Sequence, residues 1–196
     1  MMQGELSACR ACPKMQGTPV HGPPVMSRVL LVGQAPGPRE ASLGRPFAWT
    51  AGRTLFSWFE QALHCDEQTF RERVYIAAVA RCFPGKAPGG GDRRPDPGEI
   101  LRCRTWLSQE VALLVPELLI PVGSLAIEQV LGVKGPLVDV IGKRHAVTFL
   151  GHATEAIPLP HPSGASTWHR MEPGKTLLRR ALELLAKDPA LRRALA

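Results

Sequence analysis

The chain has 196 residues, 44% hydrophobic and 6% aromatic, which is enough to bury one sizeable core and leaves nothing to suggest a second. No apolar run approaches the roughly 18 to 20 residues of a membrane span, and cysteines stand where a signal peptide would carry its apolar core. The expectation is one cytoplasmic domain. A formal charge of +7 with a pI near 9.6 favours a polyanionic partner, although such a balance also occurs in proteins that never touch nucleic acid.

Residues 1–27 hold Pro19, Pro23 and Pro24 and no sustained periodicity, which predicts an irregular arm that the Cys9-x-x-Cys12 pair pins to the rest. Val29 to Val32 is an apolar run of strand length that stops at Gly33 and opens into a loop punctuated by glycine and proline. Thr50 suits the N-cap of a helix running to about Leu63, with Leu55, Phe56, Phe59 and Leu63 on one face. Val74 to Ala80 reads as a second strand, handing directly to Cys82. After a loop rich in glycine and proline, Asp96, Pro97 and Glu99 have the spacing of an N-cap, a first-turn proline and a capping-box partner. They open a predicted helix to about Leu114 that carries Cys103.

Glu117 to Val122 is a third strand and Ser124 to Leu131 a short helix. His145 to Leu150 and Thr154 to Leu159 read as two further strands, hairpinned through Gly151, and Lys175 to Lys187 as an amphipathic closing helix with Leu177, Leu178, Leu182 and Leu185 inward. The alternation predicts an α/β fold, a three-layer α/β/α domain around a central, mostly parallel sheet, with no internal repeat.

Open α/β sheets bind ligands beyond the carboxyl ends of their strands. Two unusual loops leave strands there. One carries Gln34, its single carboxylate Glu40, and Phe47; the other, PHPSGASTW, carries His161. The two are expected to share one cleft. Basic residues cluster from Arg81 to Arg104, from Lys143 to His145, and from His169 onward; the first two groups lie in or beside loops that phosphates can reach. Five cysteines in a cytoplasmic chain argue against a disulfide framework. Cys9, Cys12, Cys82 and Cys103 suit tetrahedral zinc or an iron-sulfur cluster, and spacing alone does not choose between them. Cys65 is the odd one out.

GQAPGPRE followed by GRPF, a second strand ending in ARCFPG, and HPSGAS near the C-terminus resemble the uracil-DNA glycosylase superfamily, in particular its iron-sulfur (family 4 type) members. The order of the four cysteines matches too, and the resemblance spans about residues 9 to 168. It implies a DNA repair glycosylase that flips uracil, or another damaged base, out of the duplex and hydrolyses its N-glycosidic bond. That cleavage develops positive charge on the sugar and negative charge on the departing base, so the site needs an anion near one and donors near the other.

By the resemblance, Glu40 orients or activates the water and stabilises the sugar cation, Gln34 holds the water or contacts the base, and His161 donates to the base carbonyl. Gly33, Ala35, Phe47 and Ala78 line the base pocket, with Phe47 stacking on the flipped base. Ser163, Gly164 and Ser166 meet phosphate and form a wedge loop. Cys9, Cys12, Cys82 and Cys103 hold a [4Fe-4S] cluster of structural role. The partner is damaged DNA, with no membrane, and the protein acts as a monomer.

The chain departs from the family pattern at informative places. Gln34 stands where iron-sulfur members commonly have glutamate, and Ala35 where the best-known uracil glycosylases carry a catalytic aspartate. Ala78 stands where members usually have an asparagine that reads the uracil edge. Residues 83–98 contain no histidine, so covalent trapping of the base is not expected. The alternatives are therefore a glycosylase with altered base specificity, or a catalytically weak iron-sulfur DNA-binding protein on the same fold.

Overall fold

The computed structural model describes residues 2–164 and 166–196. Five strands, β1 (Val29–Gly33), β2 (Tyr75–Ala78), β3 (Leu118–Pro121), β4 (His145–Phe149) and β5 (His152–Ala156), form one sheet in the order β2-β1-β3-β5-β4. The pairings β1–β2, β1–β3 and β3–β5 are parallel and β4–β5 is antiparallel. The helices are α1 (Met2–Ser7), α2 (Glu40–Leu43), α3 (Thr50–Leu63), α4 (Glu67–Arg73), α5 (Pro97–Leu114), α6 (Ser124–Leu131), α7 (Leu137–Val140), α8 (Gly174–Lys187) and α9 (Pro189–Leu195). No helix is long and apolar enough to cross a membrane among the described residues.

The near-continuous apolar run VLLVG becomes the central strand because a parallel strand covered on both faces has no side to leave polar. Successive side chains point to opposite faces. Val29 and Leu31 face a core built with Leu55, Phe56 and Phe59 of α3, Phe70 of α4 and Leu178 of α8. Leu30 and Val32 face a second core with Leu107, Val111 and Leu114 of α5 and Leu125 of α6. The three-layer α/β arrangement follows from this one strand's alternation.

The helix starts show how local chemistry sets boundaries. At α5, the Asp96 side chain accepts from the Glu99 N–H at 2.9 Å while Glu99 accepts from the Asp96 N–H at 2.7 Å, with Pro97 in the first turn. Arg93 adds a two-pronged ion pair to Glu99, both N–O distances 2.8 Å, which ties the preceding loop to the helix. Thr50, by contrast, is already helical; Trp49 takes the cap position and no side chain caps the helix.

The arm is less irregular than its prolines suggest. Residues Met2–Ser7 are helical with Leu6 wholly buried. The arm is also held by backbone pairing to the exit of β2, Val20 N–H donating to the Arg81 carbonyl and Gln16 N–H to that of Phe83, each at 2.7 Å. The cysteine pair is thus not its sole anchor. The second and last strands are shorter than the apolar runs suggest, yet their pairing continues. Val79 N–H donates to the Gly33 carbonyl at 2.9 Å, and Leu159 N–H to that of Pro121 at 2.9 Å.

Asp96→Ala removes the cap acceptor and is expected to cost about 1 kcal/mol of stability, read as a lower urea midpoint at unchanged m-value. No shift would mean that the Arg93–Glu99 pair alone sets the start of α5.

Candidate functional site

In the order β2-β1-β3 the chain leaves β1 toward one neighbour and later returns on its other side, so the carboxyl ends of β1 and β3 flank a topological switch point. The loop after Gly33 rises over this crevice. His161 enters it from the other side, a few residues beyond the Val122–Leu159 bridge.

The loop is built around a costly conformation. Phe47 sits at φ +53, a left-handed region that strains any residue with a Cβ. Arg71 of α4 holds it there, donating from Nη1 to the Pro46 carbonyl and from Nη2 to the Phe47 carbonyl, both at 2.9 Å. The next peptide is fixed from inside the loop, Ala48 N–H donating to Glu40 Oε1 at 3.0 Å. Two glycines make the room. A Cβ on Gly52 would stand 1.7 Å from the Phe47 oxygen, and one on Gly33 would stand 2.9 Å from Phe47 Cζ. The Phe47 ring therefore lies directly over the end of β1.

Glu40 is buried at the start of α2, and its other oxygen, Oε2, accepts from the Gly37 N–H at 2.7 Å. Burial pushes its pKa above the ordinary 4.5, while these backbone bonds and the Arg71 charge pull the other way. The carboxylate thus clamps both ends of its loop. Each oxygen keeps a second lone pair for water.

His161 packs on Gly123, whose φ of +87 and missing Cβ leave space for the ring; a Cβ there would come within 2.9 Å of His161 Cδ2. The Ser163 N–H donates to His161 Nδ1 at 3.2 Å, so in the neutral ring the proton is on Nε2. Burial lowers the His161 pKa from 6.5, with Asp92 opposing. A neutral imidazole presenting an Nε2–H donor results. Asp92 also stands near the Glu40 side of the crevice. From a Cβ built on Gly37, Asp92 Oδ2 is 3.8 Å away and Glu40 Oε2 3.9 Å.

Phe47 packs over Gly33, Glu40 is bonded into the same loop after β1, and His161 packs on Gly123 just after the neighbouring strand β3. Ala78 lies beside Gly33 in the β1–β2 register and is buried, so a methyl group and backbone are what it offers. Gln34 and Ala35 are half-buried at the strand exit. Ser163 and Ser166 close a turn, Ser166 N–H donating to the Ser163 carbonyl at 3.0 Å, and Gly164 is open. Ala165, within HPSGAS, lies outside the described residues.

Three residues at the site were not found by reading the sequence. Arg71 belongs to a helix too short to show periodicity, and nothing local marks it as the partner of Pro46 and Phe47. Asp92 sits in a loop whose Gly and Pro content hid its one useful signal, the nearby Lys86, which donates to Asp92 Oδ1 at 2.6 Å. Trp49 is 45% exposed with the Arg39 guanidinium 4.5 Å over its ring. Its place beside GRPF was the available hint.

Away from the crevice, Cys9, Cys12, Cys82 and Cys103 line one cavity of about 220 Å³. Burial, then the charges of Cys103, Cys9 and Cys12, push the Cys82 thiol up to about 12. Four soft sulfur donors that repel one another when ionised are a donor set suited to a thiophilic metal group. Among the described residues no three His, Cys, Asp or Glu side chains form a ready-made single-ion site. Cys65 is elsewhere, packed in the core with Phe56 and Phe70.

Taken together, these features define an α/β protein with a carboxylate and a neutral histidine at the switch-point crevice of its sheet. The family model for the uracil-DNA glycosylase superfamily matches residues 19–186, and the chain belongs to that superfamily. Its relatives include the type-4 uracil-DNA glycosylases of Sulfurisphaera tokodaii, 25% identical over 169 residues (82% of this chain, 72% of the relative), and of Thermotoga maritima, 29% identical over 159 residues (79% and 76%). That of Pyrobaculum aerophilum is 29% identical over 162 residues (79% and 78%).

A lowered histidine pKa makes a signed prediction. The unfolded chain takes the proton first, so the stability that neutral His161 provides is present above pH 6.5 and is lost as pH falls below it. Nitrogen NMR is expected to show the His161 ring neutral at pH 7, protonated on Nε2, and titrating below 6.5. Asp92→Asn should lower that pKa further. An unmoved titration would show that Asp92 does not act on the ring.

Proposed function

We propose that the protein is a DNA repair glycosylase that takes uracil out of the DNA stack and hydrolyses its N-glycosidic bond, leaving an abasic site. What supports this reading is a fixed carboxylate, Glu40, in the loop after β1 and a neutral Nε2–H donor, His161, packed just after the adjacent strand β3, in a chain of this superfamily. Several of its curated relatives are named type-4 uracil-DNA glycosylases.

The two groups match the charges of the reaction. As the bond to the sugar stretches, cationic character on the deoxyribose is stabilised by the nearby carboxylate. Because both oxygens are already aimed by backbone N–H groups, no reorganisation is needed at that moment. The same carboxylate accepts a proton from the attacking water. On the other side, His161 donates Nε2–H to the base oxygen where negative charge gathers; a neutral imidazole can do so without burying a net charge in the empty site. The Phe47 ring, held by Arg71, supplies the stacking face for the base, and Gln34 is placed at the strand exit to hold water or base. Ser163, Gly164 and Ser166 approach the DNA backbone, assisted by the chain's positive charge.

The four-cysteine cavity fits a [4Fe-4S] cluster held by Cys9, Cys12, Cys82 and Cys103, in volume and in the softness of its donors. When bound, such a cluster would supply cross-linking between arm, β2 exit and α5, and the hydrolysis requires no electron transfer.

Ala78 favours a second reading, a shifted base preference. A side chain that reads a base edge by hydrogen bonds rejects competitors strongly, whereas a methyl group cannot. Discrimination would then rest on backbone groups and Gln34.

The test is base release from matched oligonucleotides carrying uracil, hypoxanthine or mismatched thymine. Uracil is expected to be released, and Glu40→Gln and His161→Ala to lower kcat/KM by about 100-fold or more each. Release of another base in preference would establish the second reading. Activity untouched by both substitutions would remove the site from this crevice. Because Glu40 must be ionised and its pKa is raised, the acid limb of kcat/KM should lie above pH 4.5 and should be absent from residual Glu40→Gln activity.

Gly52→Ala offers a separate check on the loop. The added methyl collides with the Phe47 carbonyl rather than with a movable side chain. Base release should fall about tenfold or more, equivalent to about 1.4 kcal/mol, while DNA binding without turnover is retained.

A further inference from the structure

Arg81 follows β2, directly before Cys82, and only 1% of its surface is exposed. Its Nη2 forms an ion pair with the Glu110 carboxylate of α5, which is itself fully buried. Glu110 also receives the Tyr75 hydroxyl at 2.8 Å. The remaining guanidinium donors, Nε and Nη1, have no hydrogen-bond partner among the described residues. Buried donors on a charged group are rarely left unpaired, since each unsatisfied one costs about 1–3 kcal/mol or more.

The same arginine lines the cavity formed by Cys9, Cys12, Cys82 and Cys103. The buried network reaches all three segments that carry these cysteines. Tyr75 is on β2, which leads to Cys82; Glu110 is on α5, which carries Cys103. Gln3 of α1, in the arm that bears Cys9 and Cys12, reaches the Tyr75 hydroxyl at 3.5 Å and the Gly22 carbonyl at 3.3 Å. On the outer side, Arg102 Nε approaches Cys12 Sγ at 3.5 Å.

We infer that Arg81 is an internal hydrogen-bond donor to the metal centre, its Nε and Nη1 groups directed at sulfur of the iron-sulfur cluster, with Glu110 and Tyr75 as positioning residues that hold the guanidinium. This rests on the cluster reading given above. Four thiolates around the cluster leave it negatively charged, and a buried guanidinium beside it offsets that charge and stabilises the reduced form over the oxidised one. The orphaned donors and the excess thiolate charge each answer the other.

The experiment compares wild type, Arg81→Lys and the double variant Arg81→Met/Glu110→Gln after anaerobic reconstitution with iron and sulfide. The lysine keeps a cation for Glu110 but loses the fork, and the double variant removes the buried pair together, which avoids a lone buried carboxylate. Far-UV circular dichroism checks the fold, absorbance near 400 nm and iron content report the cluster, and protein-film voltammetry reads its potential. Both variants are expected to take up the cluster, to show a more negative potential, and to lose iron to a chelator about tenfold faster than wild type. Should the double variant fail to fold, Arg81→Lys carries the comparison alone. Identical potential and iron loss in cluster-loaded wild type and variants would overturn the role of Arg81 while leaving the cluster standing. A wild type that takes up no iron would overturn the cluster reading and this inference with it.

Discussion

Everything at the crevice depends on keeping one aromatic residue in a backbone conformation it would not choose. Phe47 is held left-handed because Arg71 takes two consecutive carbonyls and Glu40 takes the next N–H, while Gly52 and Gly33 leave the space. Either clamp alone would leave backbone groups unpaired in a partly buried loop, where each costs free energy. The carboxylate proposed for chemistry is therefore also a structural member of its own loop. That dual duty fixes its position with no side-chain entropy left to lose when substrate arrives.

A second buried polar system, Tyr75–Glu110–Arg81, sits on the opposite face of the sheet between β2 and α5. Buried ion pairs are poor sources of net stability compared with apolar packing. This one makes sense as a scaffold for the charge it leaves over. It couples the cysteine cavity to β2, and β2 abuts β1 at Gly33, so the two lobes of function share one strand pair.

Local signals read well from the sequence. The capping box at Asp96, the apolar run at Val29 and the helix Ser124–Leu131 each depend on neighbours within a few residues, and each stands in the structure where its pattern put it. The short helices α2 and α4 were invisible because a few residues show no amphipathic period. Helix α9 is different, since Asp188 and Pro189 repeat the cap-and-proline signature seen at Asp96, with the Leu191 N–H donating to Asp188 at 2.9 Å. Motif resemblance singled out Glu40, Phe47 and His161 as candidates without revealing what fixes them. Arg71 is 24 residues from Phe47 and Asp92 lies far along the chain from His161, so their roles exist only in three dimensions.

The central position of β1 has a consequence for how the chain is made. Its partners come from residues 75–78 on one side and 118–121 on the other. A strand buried on both faces thus leaves the ribosome ahead of both its partners, and residues 34–117 must follow before its second edge is covered. Pairings so distant in the chain form slowly, and an unpaired backbone edge flanked by apolar faces is meanwhile an invitation to association. During synthesis, the aggregation hazard lies in a strand that the finished protein buries completely.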